Sequence, residues 1–279
     1  MMSKCKYCGG KTSFLQNAHK ECHEKHNSGL VEIEGILRKS LIENIEPSVS
    51  KSEIDTIIKN SFIDEKRIKP LILQNFNDYI ADALDDNLLT QEEEKSIYAY
   101  MNCFLLNQED KEIEDTYKSI VKTAILREVM EGKIPNRVKI SDPLPFVFNK
   151  SETLVWLFNP VDYYTHKTKK HYKGRSQGIS IRVAKGLYYR TGSFKGYPVT
   201  STENVLQDRG LLAVTNKNLF FGGPKKTIKI PYKKIIAVHP FSNGIGILRN
   251  TQNAKPQNFQ TDDAWFAFNL VSNLASLAQ

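Results

Sequence analysis

Long apolar runs are missing from this 279-residue sequence: no stretch approaches the roughly 20 residues that a helix needs to span a bilayer. That excludes helical membrane channels and transporters. No apolar signal-peptide core precedes the first cysteines, so the expected location is the cytoplasm, including the cytoplasmic face of a membrane. Cysteine is scarce as well: of four in all, three fall within the first 22 residues, which leaves nothing for a disulfide framework. The fourth, Cys103, is expected to be an inert helical thiol. Tryptophan occurs twice, at Trp156 and Trp265, and both are expected in a core. The familiar catalytic motifs are absent too. There is no Gly-x-Ser-x-Gly elbow, no Walker loop and no His-Glu-x-x-His, and a phospholipase-type His-x-Lys fails because position 168 is Thr168. The expectation is a non-enzymatic protein, with a hydrolase assembled from dispersed residues as a remote alternative.

What the chain does have is concentrated at its start. Cys5-Lys-Tyr-Cys8-Gly-Gly is followed by His19-Lys-Glu-Cys22. Two thiols three positions apart can point inward from one turn, and a His and a Cys at i and i+3 share one face of a helical turn. Together they offer four soft ligands at the spacing that tetrahedral zinc requires. A closed set of four leaves no position for a reacting water, so the zinc would be structural. His26 is an alternative to His19, which is preferred because it pairs with Cys22. Asn17, His23, His26 and Asn27 do not assemble into an HNH-type nuclease motif. Residues 1–27 hold too few apolar side chains for a core of their own, so metal binding would supply the folding free energy.

Residues 28–135 read as a helical domain. Leu30, Ile33, Ile36, Leu37 and Leu41 recur at helical spacing, as do Ile54, Ile57, Ile58 and Phe62. Pro47 interrupts the pattern, and Ser50-Lys-Ser-Glu53 has the form of a capping box that restarts it. Ile72 to Leu84 is a further stretch, closed by a turn at Asp85-Asp86-Asn87. Thr90-Gln-Glu-Glu93 is a second capping box, opening a helix through Ile97, Tyr98, Met101 and Leu105. The last helix, from about Glu112 to Met130, ends where Gly132 caps it and Pro135 prevents continuation. The acids Asp82, Asp85, Asp86, Glu92 and Glu93 lack the order and the glycine of a calcium loop. Over about residues 75–105 this acidic turn and Glu-rich helix start are similar to TerB-like helical domains.

Residues 140–279 change to period two and to β-branched and aromatic side chains. Strands are expected at Glu152–Phe158, Gly178–Val183, Gly186–Arg190, Leu211–Thr215, Asn218–Phe221, Lys226–Ile230, Ile235–His239 and Ile245–Leu248. Gly222-Gly-Pro-Lys225 and Ser242-Asn-Gly244 are hairpin turns. A final amphipathic helix, capped by Thr261 or Asp262, would carry Phe266, Leu270, Val271, Leu274 and Leu277 on its apolar stripe.

Charge is unevenly spread. Between Val161 and Lys234 lie 16 of the 39 Lys and Arg residues but only three of the 31 acids, Asp162, Glu203 and Asp208. Such an imbalance points to an anionic partner. Its densest part, Tyr163 to Arg175, reads as a loop in which Lys167, Lys169, Lys170, Lys173 and Arg175 alternate with Tyr163, Tyr164, Tyr172, His166 and His171. Cations supply phosphate contacts, and tyrosines can stack on bases or enter a lipid headgroup layer. Lys225, Lys226, Lys229, Lys233 and Lys234 form a second, water-facing stripe.

Gly210-Leu-Leu-Ala-Val-Thr-Asn-Lys-Asn-Leu-Phe-Phe-Gly222, with Lys226-Thr-Ile-Lys-Ile-Pro-Tyr232 and Ile235–Val238 after it, resembles the core of the GRAM/PH-like family. The residues suit it: Thr215-Asn216-Lys217 would turn a hairpin, Phe220 and Phe221 would fill opposite faces of a sheet, and Pro231 would end pairing at an edge. The resemblance implies a PH-like antiparallel β-barrel closed by a helix, acting as a non-catalytic platform for phosphoinositides, membranes or protein segments. The spaced Lys/Arg pattern of phosphoinositide-binding PH domains is not cleanly present.

The reading of the whole is an α+β chain: a treble-clef-like zinc knuckle at 1–27, a helical domain at 28–135 and a PH/GRAM-like barrel at 140–279. The expected role is a zinc-containing adaptor that engages a protein or an anionic membrane surface. The alternative is a nucleic-acid-binding regulator using the basic loop together with Lys4, Lys6, Lys11 and Lys20 of the knuckle.

Overall fold

The computed structural model describes residues 3–13, 16–84, 89–108, 110–184, 187–251 and 255–278, with backbone alone across 166–202. The expected turn at Asp85-Asp86-Asn87 lies outside the described residues, as do Phe14, Leu15 and Gly186. The chain divides into two compact units, Met1–Lys133 and Ile134–Gln279.

The first unit is a short knuckle followed by α1 (Lys20–Ile42), α2 (Pro47–Asn60), a 3-10 turn at Glu65–Arg67, α3 (Ile68–Ala83), α4 (Gln91–Cys103) and α5 (Glu114–Met130). The apolar stripes meet in one core that includes Ile33, Leu37, Ile54, Phe76, Ile97, Tyr100 and Ile120. Phe76 and Tyr100 stack there with ring centroids 5.9 Å apart. The capping box at Thr90 forms as the sequence suggests: Thr90 Oγ1 accepts from Glu93 N at 3.2 Å, and Glu93 accepts from Thr90 N at 2.8 Å. The other expected box does not. α2 begins at Pro47 rather than Ser50, because proline at the first helical position needs no N–H partner and its φ is already helical.

Two residues assigned to apolar stripes lie beyond them. Phe62 and Leu105 sit just past the ends of α2 and α4 with φ of 53° and 55°. There Ile63 N reaches back to Ile58 O and Leu106 N to Met101 O, at 3.2 and 2.9 Å. Each helix therefore closes through a left-handed residue that turns outward, and the following residue, Ile63 or Leu106, takes the buried place. α5 closes in the same way at Gly132, φ 75°, the residue type that suits the position.

The second unit is a seven-stranded antiparallel sheet with a terminal helix. Its elements are β1 (Leu154–Ala184), β2 (Leu187–Thr215), β3 (Asn218–Gly222), β4 (Thr227–Pro231), a 3-10 turn at Tyr232–Lys234, β5 (Ile235–Phe241), β6 (Gly244–Arg249), β7 (Gln257–Gln260) and α6 (Ala264–Leu277). Spatial order is β4-β3-β2-β1-β7-β6-β5. The expected barrel is therefore corrected to an open sheet. Pro231 ends β4, the 3-10 turn carries the chain to the opposite edge, and β4 and β5 do not pair. Tyr232 is fully buried in that turn and donates its hydroxyl to Thr215 O at 2.7 Å.

The hairpin chemistry at Thr215 follows the sequence: its hydroxyl accepts from Lys217 N and Asn218 N at 3.2 and 2.9 Å. Phe220 and Phe221 are both buried on opposite faces. Phe220 meets Phe146 and Phe148, and Phe221 meets Tyr163 and Phe259. β7 was not foreseen, since Gln257-Asn-Phe-Gln260 is a polar tetrapeptide with one apolar residue. The cap of α6 is Asp263, which accepts from Phe266 N at 3.0 Å, in place of Thr261 or Asp262. Its buried stripe is Phe266, Ala267, Leu270, Val271, Leu274 and Ala275, while Leu277 and Trp265 are about half exposed at 47% and 49%. Trp156 is half-buried against Phe266, so neither tryptophan is a fully buried core residue as expected.

Candidate functional site

The knuckle is built from backbone hydrogen bonds over very few residues. Lys4 and Lys11 form an isolated antiparallel bridge, Cys5 N donates to Gly10 O at 2.7 Å, and Gly9 N donates to Cys5 O at 2.9 Å. Gly9 takes φ 72°, which lets the chain reverse directly after Cys8. Gly10 stands where a methyl group would come within 3.4 Å of both Cys8 Sγ and His19 Cε1. The other two ligands arrive on α1, with His19 as its N-cap residue and Cys22 in its first turn.

Cys5, Cys8, His19 and Cys22 each bring one ligand atom into a group whose members lie within 4.8 Å of one another. His19 Nδ1 is 3.4 Å from Cys8 Sγ and 3.7 Å from Cys22 Sγ. Zinc bonds of ~2.3 Å to sulfur and ~2.0 Å to nitrogen in a tetrahedron require an S···N edge of about 3.5 Å, so both spacings fit. The imidazole is oriented correctly as well. Its Nε2 lies 2.9 Å from the carbonyl oxygen of Lys11, which can only accept, so Nε2 carries the proton and Nδ1 presents a lone pair to the sulfurs. This cluster could hold a metal ion such as zinc.

The acidity of the thiols supports that chemistry. Burial opposes ionisation of Cys5, but the N–H groups of Cys8, His19 and Tyr7 point at its sulfur and hold its pKa down at about 6. Cys22 is pushed up to about 11, first by burial and then by the sulfurs of Cys8 and Cys5. One thiolate is easily accommodated and further negative charge is resisted, which is the imbalance a divalent cation relieves.

His26 is not part of the cluster. It is buried on α1, with Nδ1 3.3 Å from Ser61 O and its ring 4.6 Å from that of Tyr7. His23 pairs with Asn27 at 3.3 Å. Lys4, Lys6, Lys11 and Lys20 are all exposed. Cys103, at the end of α4, is half-buried, and burial raises its pKa. Of the acidic residues, Glu93 is engaged by Thr90; Asp85 and Asp86 lie outside the described residues.

The basic stretch is placed differently from its expected form. Tyr163 to Arg175 is not a loop but part of β1, paired to β2 with a register shift between Tyr163 and Tyr164 and in step from there on: Lys167 opposite Glu203, Lys169 opposite Ser201, Lys170 opposite Thr200, Lys173 opposite Tyr197 and Arg175 opposite Lys195. β7 pairs with β1 only at Asp162–Thr165, and β3 with β2 only at Leu211–Val214. Beyond those positions, among the described residues, β1 and β2 pair with each other alone, as a two-stranded ribbon that shifts register between Arg182 and Ala184 and reaches Ala184 opposite Leu187. Lysine-rich segments are poor strand formers in isolation, so local pattern could not show this. Tyr163 leaves the proposed surface: it is buried, 5.2 Å from Phe259 and 5.3 Å from Phe221 by ring centroids. Lys225, Lys226, Lys229, Lys233 and Lys234 are exposed as expected. Lys229 lies over the ring of Phe220. The fold of this hairpin depends on Asp208, which sequence reading counted only as a charge. Its carboxylate accepts from Lys225 N and Lys226 N at 2.7 and 2.8 Å.

No helix among the described residues is long and apolar enough to cross a membrane. Neither a protein-family model nor a curated protein matches the chain. The likenesses to GRAM/PH-like and TerB-like domains therefore rest on the residues quoted above.

Proposed function

We propose that this chain is a non-catalytic binding protein, braced by a structural zinc ion at Cys5, Cys8, His19 and Cys22, that presents the β1–β2 ribbon to an anionic partner. The observation that carries this reading is the pairing of the basic segment with a second strand. Residues 166–202 contain nine Lys and Arg residues and no Asp or Glu, and the backbone of 166–184 pairs with that of 187–202 as a two-stranded arm. A strand pair with no third neighbour buries little surface and is marginally stable by itself. Binding a polyanion would offset both the charge repulsion and that deficit. The GRAM/PH-like residues at 210–238 support a platform role for the open sheet from which the arm extends, as an adaptor does. The four-ligand cluster supports a bracing role for zinc, because all four tetrahedral positions are filled by side chains.

Retention on an anionic matrix such as heparin-agarose tests this. The wild-type chain should elute late in a salt gradient. A variant carrying Lys167→Glu, Lys169→Glu, Lys173→Glu and Arg175→Glu should elute near the void while keeping its zinc. Equal elution of the two proteins would remove the ribbon from the function.

A further inference from the structure

Resting on that reading, we infer that the anionic partner of the ribbon is double-helical DNA, engaged along the length of the arm. The argument begins with where the charge lies. From His166 to Ala184 the first strand of the arm is ~60 Å long at about 3.3 Å per residue. Lys167, Lys169, Lys170, Lys173 and Arg175 occupy the half nearest the sheet, and Lys195 joins them as the cross-strand partner of Arg175. Arg182 and Arg190 lie toward the far end, opposite Tyr188 and Ser180. The cations are thus strung along the shaft rather than gathered at its tip.

A lipid surface met by the tip would feel few of them. Arg175 lies seven residues before Arg182, roughly 23 Å at strand rise, which is well beyond a Debye length of about 8 Å at physiological salt. A linear polyanion lying along one face of the arm meets Lys167, Lys169, Lys173, Arg175 and Lys195 together. Double-stranded DNA carries one charge per ~1.7 Å of axis, and release of its counterions drives association with such an array.

The dimensions agree. A two-stranded β-ribbon fits the B-form major groove, about 12 Å wide, whereas the A-form major groove is too deep and narrow. Gly174 stands opposite Gly196, and Gly178 opposite Gly192. Paired glycines on the other face keep the ribbon thin at the level of the densest charge. Positions of one parity share a face of a strand, and Lys167, Lys169, Lys173 and Arg175 are all odd, with Lys195 directly across. These five cations thereby share one face of the arm, with His171 between Lys169 and Lys173 and Glu203 across from Lys167.

The test is fluorescence anisotropy of the full-length zinc-loaded chain with a labelled 24-base-pair duplex DNA of arbitrary sequence, measured over a salt series. Duplex RNA, single-stranded DNA and phosphatidylserine vesicles serve as parallel arms. Binding of duplex DNA should show a log–log salt slope of about −4 to −5, the value for five phosphates at ~0.9 each. Replacing Lys167, Lys169, Lys173 and Arg175 by Gln should weaken it at least tenfold and flatten the slope by about 3 to 4. Unchanged far-UV circular dichroism and zinc content would show that this variant is folded, and Lys225→Gln with Lys226→Gln should leave binding intact. Vesicle binding without duplex binding would overturn the DNA assignment and leave the anionic-partner reading standing. Tighter binding to RNA or to single strands would overturn the groove geometry. Binding to none of the four would overturn both readings.

Discussion

At the root of the ribbon Arg209 grips Asp162 from directly across the strand pair, its Nε and Nη2 donating to the two carboxylate oxygens at 2.5 and 2.7 Å. The pair sits where β7 still holds β1, since Asp162 is also opposite Gln260. It therefore ties β1 to β2 just before the register shift between Tyr163 and Tyr164 that precedes the arm.

That ion pair makes the arm's root sensitive to acid. The hydrogen bond from Arg209, and then its charge, hold the Asp162 carboxyl below its ordinary range. A carboxyl depressed on folding contributes stability above its unfolded pKa, near 4, and loses it as pH falls through the lower folded value. Arg209 is largely exposed, so Arg209→Ala should cost only about 0–1 kcal/mol at pH 7. Urea melts from pH 7 to pH 2 should show the gap between wild type and variant closing at the acid end. A gap that widens there would contradict the assignment.

Metal removal should act on more than the knuckle. His19 and Cys22 lie at the start of α1, which runs on to Ile42, so chelation should expose the amide hydrogens of residues 4–25 to exchange while β3 and α6 stay protected. Elemental analysis should find one zinc per chain, reduced severely by Cys8→Ser or His19→Ala. Full zinc retention in His19→Ala with loss in His26→Ala would transfer the ligand role to the other histidine.

In the helical unit a buried ion pair joins α4 to α5. Arg127 donates to Glu94 and, through Nη1, to Leu89 O at 2.8 Å; its side chain is 14% exposed and that of Glu94 8%. Removing Glu94 leaves Arg127 with the more exposed Glu131 at 3.8 Å and with Leu89 O, so Glu94→Ala should cost about 1.5–3 kcal/mol in a denaturant titration. A cost below 1 kcal/mol would mean that water already reaches the pair ~freely.

Two backbone substitutions should act in opposite directions. A Cβ at Gly210 would lie 2.0 Å from Gly222 O, so Gly210→Ala should force β2 and β3 apart and cost about 2 kcal/mol or more. Leu105 is 79% exposed with a positive φ, so Leu105→Gly relieves strain without losing burial and should stabilise by about 1 kcal/mol. Thermal melts of both variants decide the signs.

The Cys3His cluster was legible in the sequence because its spacing rule is local: its four side chains fall in two short motifs, and the chain between needs only to turn back. The Thr90 box and the Thr215 turn were legible for the same reason, each being a side chain bonding to backbone two or three residues away. Leu105 and Phe62 were misplaced because helical periodicity carries no mark of where a helix closes. Only the following buried residue, Leu106 or Ile63, settles it.

What the sequence determined unaided was whatever depends on near neighbours: helix stripes, turns, the ligand set and the location of excess positive charge. The tertiary structure alone decided what depends on distant pairing. It opened the sheet at β4 and β5, recruited polar Gln257–Gln260 as a strand, buried Tyr163, and turned a lysine-rich stretch into one side of a ribbon. A strand gains its stability from a partner that can lie anywhere in the chain, so no window of sequence contains the information.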